Sequence, residues 1–131
     1  MKNIMLDTDI IIDFLRNGVD NSNIFRDIKN NNVKSYASSI TTFELYNGVL
    51  LSRNPKEKLE DLDRLLESID IISFDRTQSY VASKIYVYLI KKGMPLEIRD
   101  ILISASAISK NLLLLTKNKN HFDRIPELRL M

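Results

Sequence analysis

Asp7, Asp9 and Asp13 stand in the segment NIMLDTDIIIDFL, whose other side chains are mostly apolar. Carboxylates serve as general acids and bases or bind hard cations. Two of them about 4 Å apart repel by roughly 4 kcal/mol at an effective dielectric near 20. A proton, a basic side chain or a bound cation must offset that. Further along, Glu44 lies in SSITTFELYNGV, Asp100 in EIRDILISASAISKN and Asn118 in LLLLTKNKNHF. If Asp7, Glu44 and Asp100 converge, they form a hard-oxygen cluster suited to Mg2+ or Mn2+. Each acid also has an ordinary structural use. Thr41-x-x-Glu44 fits a capping box, and Asp100 fits a first-turn acid favoured by the helix dipole. Asp9 reads as an N-cap, and Asp13, four residues on, shares its face. Asp7 has the weakest structural excuse, because a strand end followed by Thr8 does not call for an acid. Arg99 adjoins Asp100 but points about 100° away around a helix.

Much other chemistry is excluded. Three glycines, Gly18, Gly48 and Gly93, cannot build a glycine-rich phosphate cradle. A single histidine, His121, rules out a two-histidine mechanism within one chain. The lack of cysteine removes disulfides, thiolate metal sites and thiol nucleophiles, and makes a reducing cytoplasm the expected home. Hydrolytic chemistry must then lean on carboxylates, with metal as the natural helper. No apolar run nears the ~20 residues of a spanning helix, so no membrane partner is expected. Acids at positions 7 and 9 spoil the N-terminus as a signal peptide. The net charge of +2 is too small to argue for nucleic acid by itself. Lys117, Lys119 and Arg124 flank the candidate site, as phosphate contacts or as a solvated basic face.

The elements that must position these residues follow from pattern. A chain of 131 residues, 44% hydrophobic, suits one domain spanning 1–131 with a single core. Residues 3–6 read as a short buried strand, and a helix from Thr8 or Asp9 closes at Gly18. A second helix is expected over 21–31, a strand at SYASS, and a helix over 40–52. Pro55 opens a helix with Leu59, Leu62, Leu65, Leu66 and Ile69 on one face. DIISF reads as a strand, and DRTQSYVASKIYVYLIKKG as a helix with Val81, Ile85, Tyr88 and Leu89 inward. IRDILISASAISKN is apolar on nearly every side, hence buried. LLLLT is a strand, KNHFDRI a helical turn and LRL an edge strand. Strands alternating with helices predict an α/β fold, a central parallel sheet flanked by helices. In such sheets the functional groove lies beyond the carboxyl ends of the strands, where Asp7 and Asn118 fall.

The LDTDI segment resembles, weakly, the first motif of haloacid-dehalogenase phosphatases, but Ile11 breaks that pattern. A response-regulator receiver domain fails too, since YASS ends without an acid and TKNKNHF lacks the usual proline. The chain resembles much more closely the PIN-domain nucleases, in particular VapC-type toxins of toxin–antitoxin pairs. The D-T-[NSD]-x-[IL]-I-D start, the T-x-x-E-L-x-x-G block, the D-x-x-I-[AS]-A block and the T-x-N-x-x-x-F block appear in the family's order. That resemblance implies a single PIN-like domain and metal-dependent endoribonuclease activity with Mg2+, or Mn2+. It makes Asp7, Glu44 and Asp100 the acids of the site, Asp7 and Asp100 the metal ligands, and Asn118 the stand-in for a fourth acid. It implies an RNA substrate, a small cognate antitoxin that blocks the acidic groove, and a homodimer. Exposed apolar faces on the helices at 21–31 and 40–66 suit those partners. Thr8 and Thr116 are candidates to hydrogen-bond a carboxylate or phosphate, and His121 beside Phe122 is assigned to packing. The rival expectation is a non-catalytic PIN-like module that binds RNA or protein.

Overall fold

Ile4, Met5 and Leu6 are fully buried in succession, the mark of a strand covered on both faces rather than one. They belong to β1 (Lys2–Leu6) in a computed structural model that describes residues 2–18 and 23–131. The chain continues through α1 (Thr8–Asn17), α2 (Asn23–Lys29), β2 (Val33–Ser38), α3 (Ser39–Leu50) and α4 (Pro55–Leu66). It then forms β3 (Asp70–Ile72), α5 (Arg76–Lys91), α6 (Ile98–Ser109), β4 (Leu113–Leu115) and α7 (Lys119–Phe122). The strands pair in the order β3-β2-β1-β4, and every pairing is parallel. The expected α/β architecture is therefore the observed one.

Successive side chains of a strand face opposite ways, and β1 divides its residues accordingly. Ile4 and Leu6 join a cluster with Ile11 of α1, Phe25 and Ile28 of α2, Leu45 and Val49 of α3, and Leu62 and Leu65 of α4. Met5 joins the opposite cluster, with Ala82, Ile85 and Leu89 of α5 and Ile101, Ile103 and Ala105 of α6. Two helical layers thus clamp one sheet. The strand order reverses between β1 and β4, and a crevice opens beyond the carboxyl ends at such a switch point. Asp7 N donates to Leu115 O at 2.9 Å, which keeps the two strands paired up to that crevice.

Several local expectations need correction. The helix expected over 21–31 is α2, and residues 21–22 lie outside the described residues. Asn31, at φ 60°, takes the left-handed conformation that ends a helix. Phe25 and Ile28 of α2 are buried, and both line an apolar groove with Phe14, Leu15 and Leu65. Tyr88 does not point inward. Gln78, Ala82, Ile85 and Leu89 form the buried stripe of α5, and Tyr88, rotated a further 100°, lies under the Lys92 ammonium. The LRL segment makes a single bridge, Leu114 to Leu130, rather than a strand. Gly18 does close α1, at φ 79°, with its N–H donating to Phe14 O at 2.8 Å.

Candidate active site

Asp7 sits where β1 gives way to α1, and it is the N-cap that was expected of Asp9. Its Oδ1 accepts from Thr8 N at 2.8 Å, and its Oδ2 accepts from Thr116 Oγ1 at 2.7 Å. Thr116 follows β4, so this bond ties together the carboxyl ends of β1 and its neighbour β4. The side chain of Asp7 is only 1% exposed. A buried carboxylate needs such donors, because water no longer solvates it.

Glu44 arrives from α3 and does not cap it. Ser38 is the N-cap, its Oγ accepting from Ile40 N at 3.1 Å, so the capping box fails and Thr41 is interior. Glu44 Oε1 instead accepts from Thr8 Oγ1 at 2.7 Å. Asp100, in the first turn of α6, is 2% exposed. Asp7, Glu44 and Asp100 therefore meet in space, as the sequence reading required.

What joins them is Arg99, which that reading passed over. Its Nε donates to Glu44 Oε2 at 2.5 Å, and its Nη2 reaches Glu44 Oε1 at 2.9 Å. Nη2 also lies 3.2 Å from both Asp7 Oδ1 and Thr8 Oγ1, and Nη1 bonds Asp100 Oδ1. One planar guanidinium thus touches all three acids, a geometry its fixed fork of donors favours. The available signal was its place beside Asp100 at a helix start. A 100° offset does not exclude a site residue when the stem is as long as arginine's.

Burial pushes the Asp100 carboxyl above its ordinary value; Arg99 and His121 draw it down, while Asp7 and Glu97 push it further up. Burial works against the Arg99 charge, yet the bond to Glu44 and the fields of Asp7, Glu44 and Asp100 overcome it. The guanidinium is held above its usual range. His121 is not packed: its side chain is 51% exposed, and Nδ1 stands 3.5 Å from Asp100 Oδ2. Phe122 takes the interior position, 1% exposed.

A second acidic group lies outside the first. Asp9 Oδ2 accepts from Lys117 N at 3.1 Å, and Asp9 Oδ1 is buried without a partner. Its carboxyl is pushed up, by burial first and by Asp7 second. Lys117 Nζ pairs with Asp13 Oδ2. Asn118 donates its backbone N–H to Thr116 Oγ1 at 3.0 Å, and its exposed side chain caps no backbone group of α7. Lys119 and Arg124 are exposed, with Arg124 Nη1 donating to Pro95 O at 3.3 Å.

The donor set consists of hard oxygens, which suits Mg2+ or Mn2+. Among the described residues, however, no three acidic or histidine side chains stand at the spacing that holds a metal. Arg99 lies between them.

The chain matches the PIN domain family over residues 4–128. It is 33% identical to ribonuclease VapC2 of Rickettsia felis over 126 residues, which cover 95% of this chain and 92% of that relative. The chain belongs to the PIN-domain family, in its VapC branch. A second relative, the tRNA(fMet)-specific endonuclease VapC of Shigella flexneri, is 29% identical over 98% of this chain and 96% of its own length. Among solved structures, the DNA-bound VapBC of Salmonella typhimurium superposes with a TM-score of 0.90 at 29% identity, covering 100% of this chain and 98% of that one. VapBC2 of Rickettsia felis, bound to a DNA fragment from its promoter, gives 0.88 at 28% identity, covering 98% and 97%. The four motif blocks of this PIN domain supply every one of its central groups except Arg99, which none of them includes. Among the described residues, no helix is long and apolar enough to cross a membrane.

Proposed function

We propose that this PIN domain is the toxin of a toxin–antitoxin pair, an endoribonuclease that uses a divalent cation, Mg2+ first and Mn2+ as the alternative. The observation that carries this reading is the meeting of Asp7, Glu44 and Asp100 at the carboxyl edge of the sheet, in contact with a single cationic group. Asp7 and Asp100 are the residues that would hold the cation, with Glu44 beside them. A divalent ion there supplies Lewis-acid stabilisation of a phosphoryl group and lowers the pKa of water.

The chain's own groups do the rest. Thr8 and Thr116 hold Glu44 and Asp7 by hydroxyl donation, so that these oxygens keep their direction when RNA arrives. Lys119 and Arg124 present exposed positive charge to phosphate oxygens, and Lys117 does so at the cost of its pairing with Asp13. Asn118 is neutral; it offers an amide to orient water or ribose and cannot take a proton as a base.

The partners in this reading are RNA, a small antitoxin and a second copy of the chain. An apolar groove of about 230 Å3 starts at Glu44 and runs past Ile12, Leu15, Leu45 and Val49. Phe43, Leu50 and Leu51 are exposed on the same stretch of chain, as the expectation for residues 40–66 required. An antitoxin segment lying in the groove reaches Glu44 directly.

Purified protein incubated with tRNA(fMet), the target in the name of the Shigella flexneri relative, and with bulk RNA tests the reading. Cleavage with Mg2+, lost with EDTA and lost in Asp7→Asn, supports it. Cleavage that ignores both changes, or none under any condition, returns the chain to the binding-module reading. Conditional expression adds an independent check, since growth arrest by the wild type and not by Asp7→Asn identifies a toxin.

A further inference from the structure

We propose that Arg99 is this domain's built-in counterion, a guanidinium that fills the acid cluster in the metal-free protein and must swing out before a divalent cation enters. The inference rests on the metal-dependent reading above and adds a competitor internal to the same chain.

Geometry is the first support. Arg99 takes both oxygens of Glu44, one of Asp7 and one of Asp100. Thr116 and Thr8 N hold the remaining capacity of Asp7. Both oxygens of Asp7 and of Glu44 and one of Asp100 are therefore already taken by N–H and O–H donors. Arg99 touches each of the three acids, and among the described residues no three acidic or histidine side chains stand at the spacing that holds a metal.

Charge is the second. Three carboxylates face one guanidinium, which leaves the ionised cluster two charges short of neutral. The arginine thus relieves the repulsion in part, and a doubly charged ion relieves more of it. Helix position works in the same direction. Arg99 is the second residue of α6, where the dipole favours an anion such as Asp100 and opposes a cation. The three acids, with the Thr8 hydroxyl, hold the guanidinium inside.

Mobility is the third. The Arg99 side chain is 27% exposed whereas Asp7 and Asp100 are 1% and 3% exposed. Asp7 and Asp100 are embedded, Glu44 is as exposed as the arginine, and Arg99 carries its charge on a flexible stem. Exchange therefore rotates one side chain and leaves the backbone in place. Metal affinity is then the intrinsic affinity reduced by the small fraction of molecules in which Arg99 is out.

Mn2+ binding followed by electron paramagnetic resonance, without RNA, tests this on wild type, Arg99→Gln and Arg99→Lys. Arg99→Gln should bind Mn2+ about tenfold or more tightly than wild type, with Arg99→Lys between them. In EDTA, Arg99→Gln should melt below wild type, and Mn2+ should raise its melting point by the larger increment. In wild-type protein labelled with nitrogen-15, the Nε–H resonance of Arg99 should move to the position of a solvated arginine as Mg2+ is added. Equal or weaker Mn2+ binding by Arg99→Gln overturns the proposal and makes Arg99 a group that pre-positions the acids. An unmoved Nε–H resonance in Mg2+-saturated protein overturns it as well, and covers the case in which the glutamine variant fails to fold. If none of the three proteins binds Mn2+, the metal-dependent reading itself fails.

Discussion

Asp7 lies within a few residues of Asp9 and Asp13 in sequence, yet the fold puts it in a different group of acids. Asp7 belongs to the inner group with Glu44 and Asp100, which come from three separate elements and meet at Arg99. Asp9 and Asp13 form the outer group, both on α1, and answer to Lys117 through its backbone N–H and its ammonium. In the inner group Asp7 and Asp100 are buried and Glu44 is 27% exposed, and the three charges share one cation. In the outer group, Lys117 and Asp13 are 50% and 44% exposed, so water shares the work of solvating them. Equal chemistry thus has unequal consequences, because desolvation multiplies what each charge costs and what each partner is worth. The inner acids are placed for work on a ligand; the outer ones tie α1 to the loop after β4.

Substitutions that separate the two groups should show this. Asp7→Asn or Asp100→Asn should lower RNA cleavage by at least about a hundredfold, the loss of a ligand to the stabilising cation. Asparagine still caps a helix, so circular dichroism should show Asp7→Asn folded. Asp13→Asn, measured in the same assay, should stay within about threefold of wild type, since an exposed pair contributes little. If Asp13→Asn proved as damaging as Asp7→Asn, the division into inner and outer groups would collapse.

Thr116→Val should come next in size. It strips a donor from buried Asp7 Oδ2, a change worth roughly 1–3 kcal/mol of stability. Chemical denaturation measures it, and Thr116→Ser should restore most of the loss.

Asp9 sharpens the comparison through pH. Its carboxyl titrates above 3.8 in the folded protein, from burial and then from Asp7. Between 3.8 and that raised value the folded state binds more protons than the unfolded chain, so stability falls as pH rises through the interval. Asp9→Asn cannot ionise. It should melt above wild type at pH 7, and the gap should close as pH falls to about 3.8. A gap that does not change with pH would remove the electrostatic cause.

Lys117→Met gives the smallest effect. Losing the exposed pair with Asp13 should shift stability by no more than about 1 kcal/mol. If Lys117 meets a phosphate, the salt dependence of RNA binding should also drop by about one ion.

The strands, the helices and the parallel sheet were legible because apolar runs and breakers are local signals. NIML, SYAS and LLLL mark the strands β1, β2 and β4, and Gly18 and Pro55 punctuate helices as their backbone chemistry requires. Tyr88 was misplaced because adjacent aromatic and aliphatic residues on a long helix give periodicity too few constraints to choose a face. The acids were legible through motif order, whereas their partners were not. Asp9 and Asp7 are both reasonable N-caps on paper, and Thr41 and Ser38 both reasonable starts for α3. A cap is decided by which residue takes extended backbone angles at the end of the paired strand, and that depends on sheet register.

Sequence alone determined the class of chemistry: hard-oxygen acids at strand and helix ends, no thiol, no glycine cradle, and the family to which their spacing conforms. It also contained the possibility that a basic side chain balances the acids, without saying which one. Tertiary structure chose Arg99, because a long side chain finds its partner by the distances among elements far apart in the chain. Those distances exist only once β1 and β4 pair, α3 and α6 pack on opposite faces of the sheet, and water leaves the space between the carboxylates.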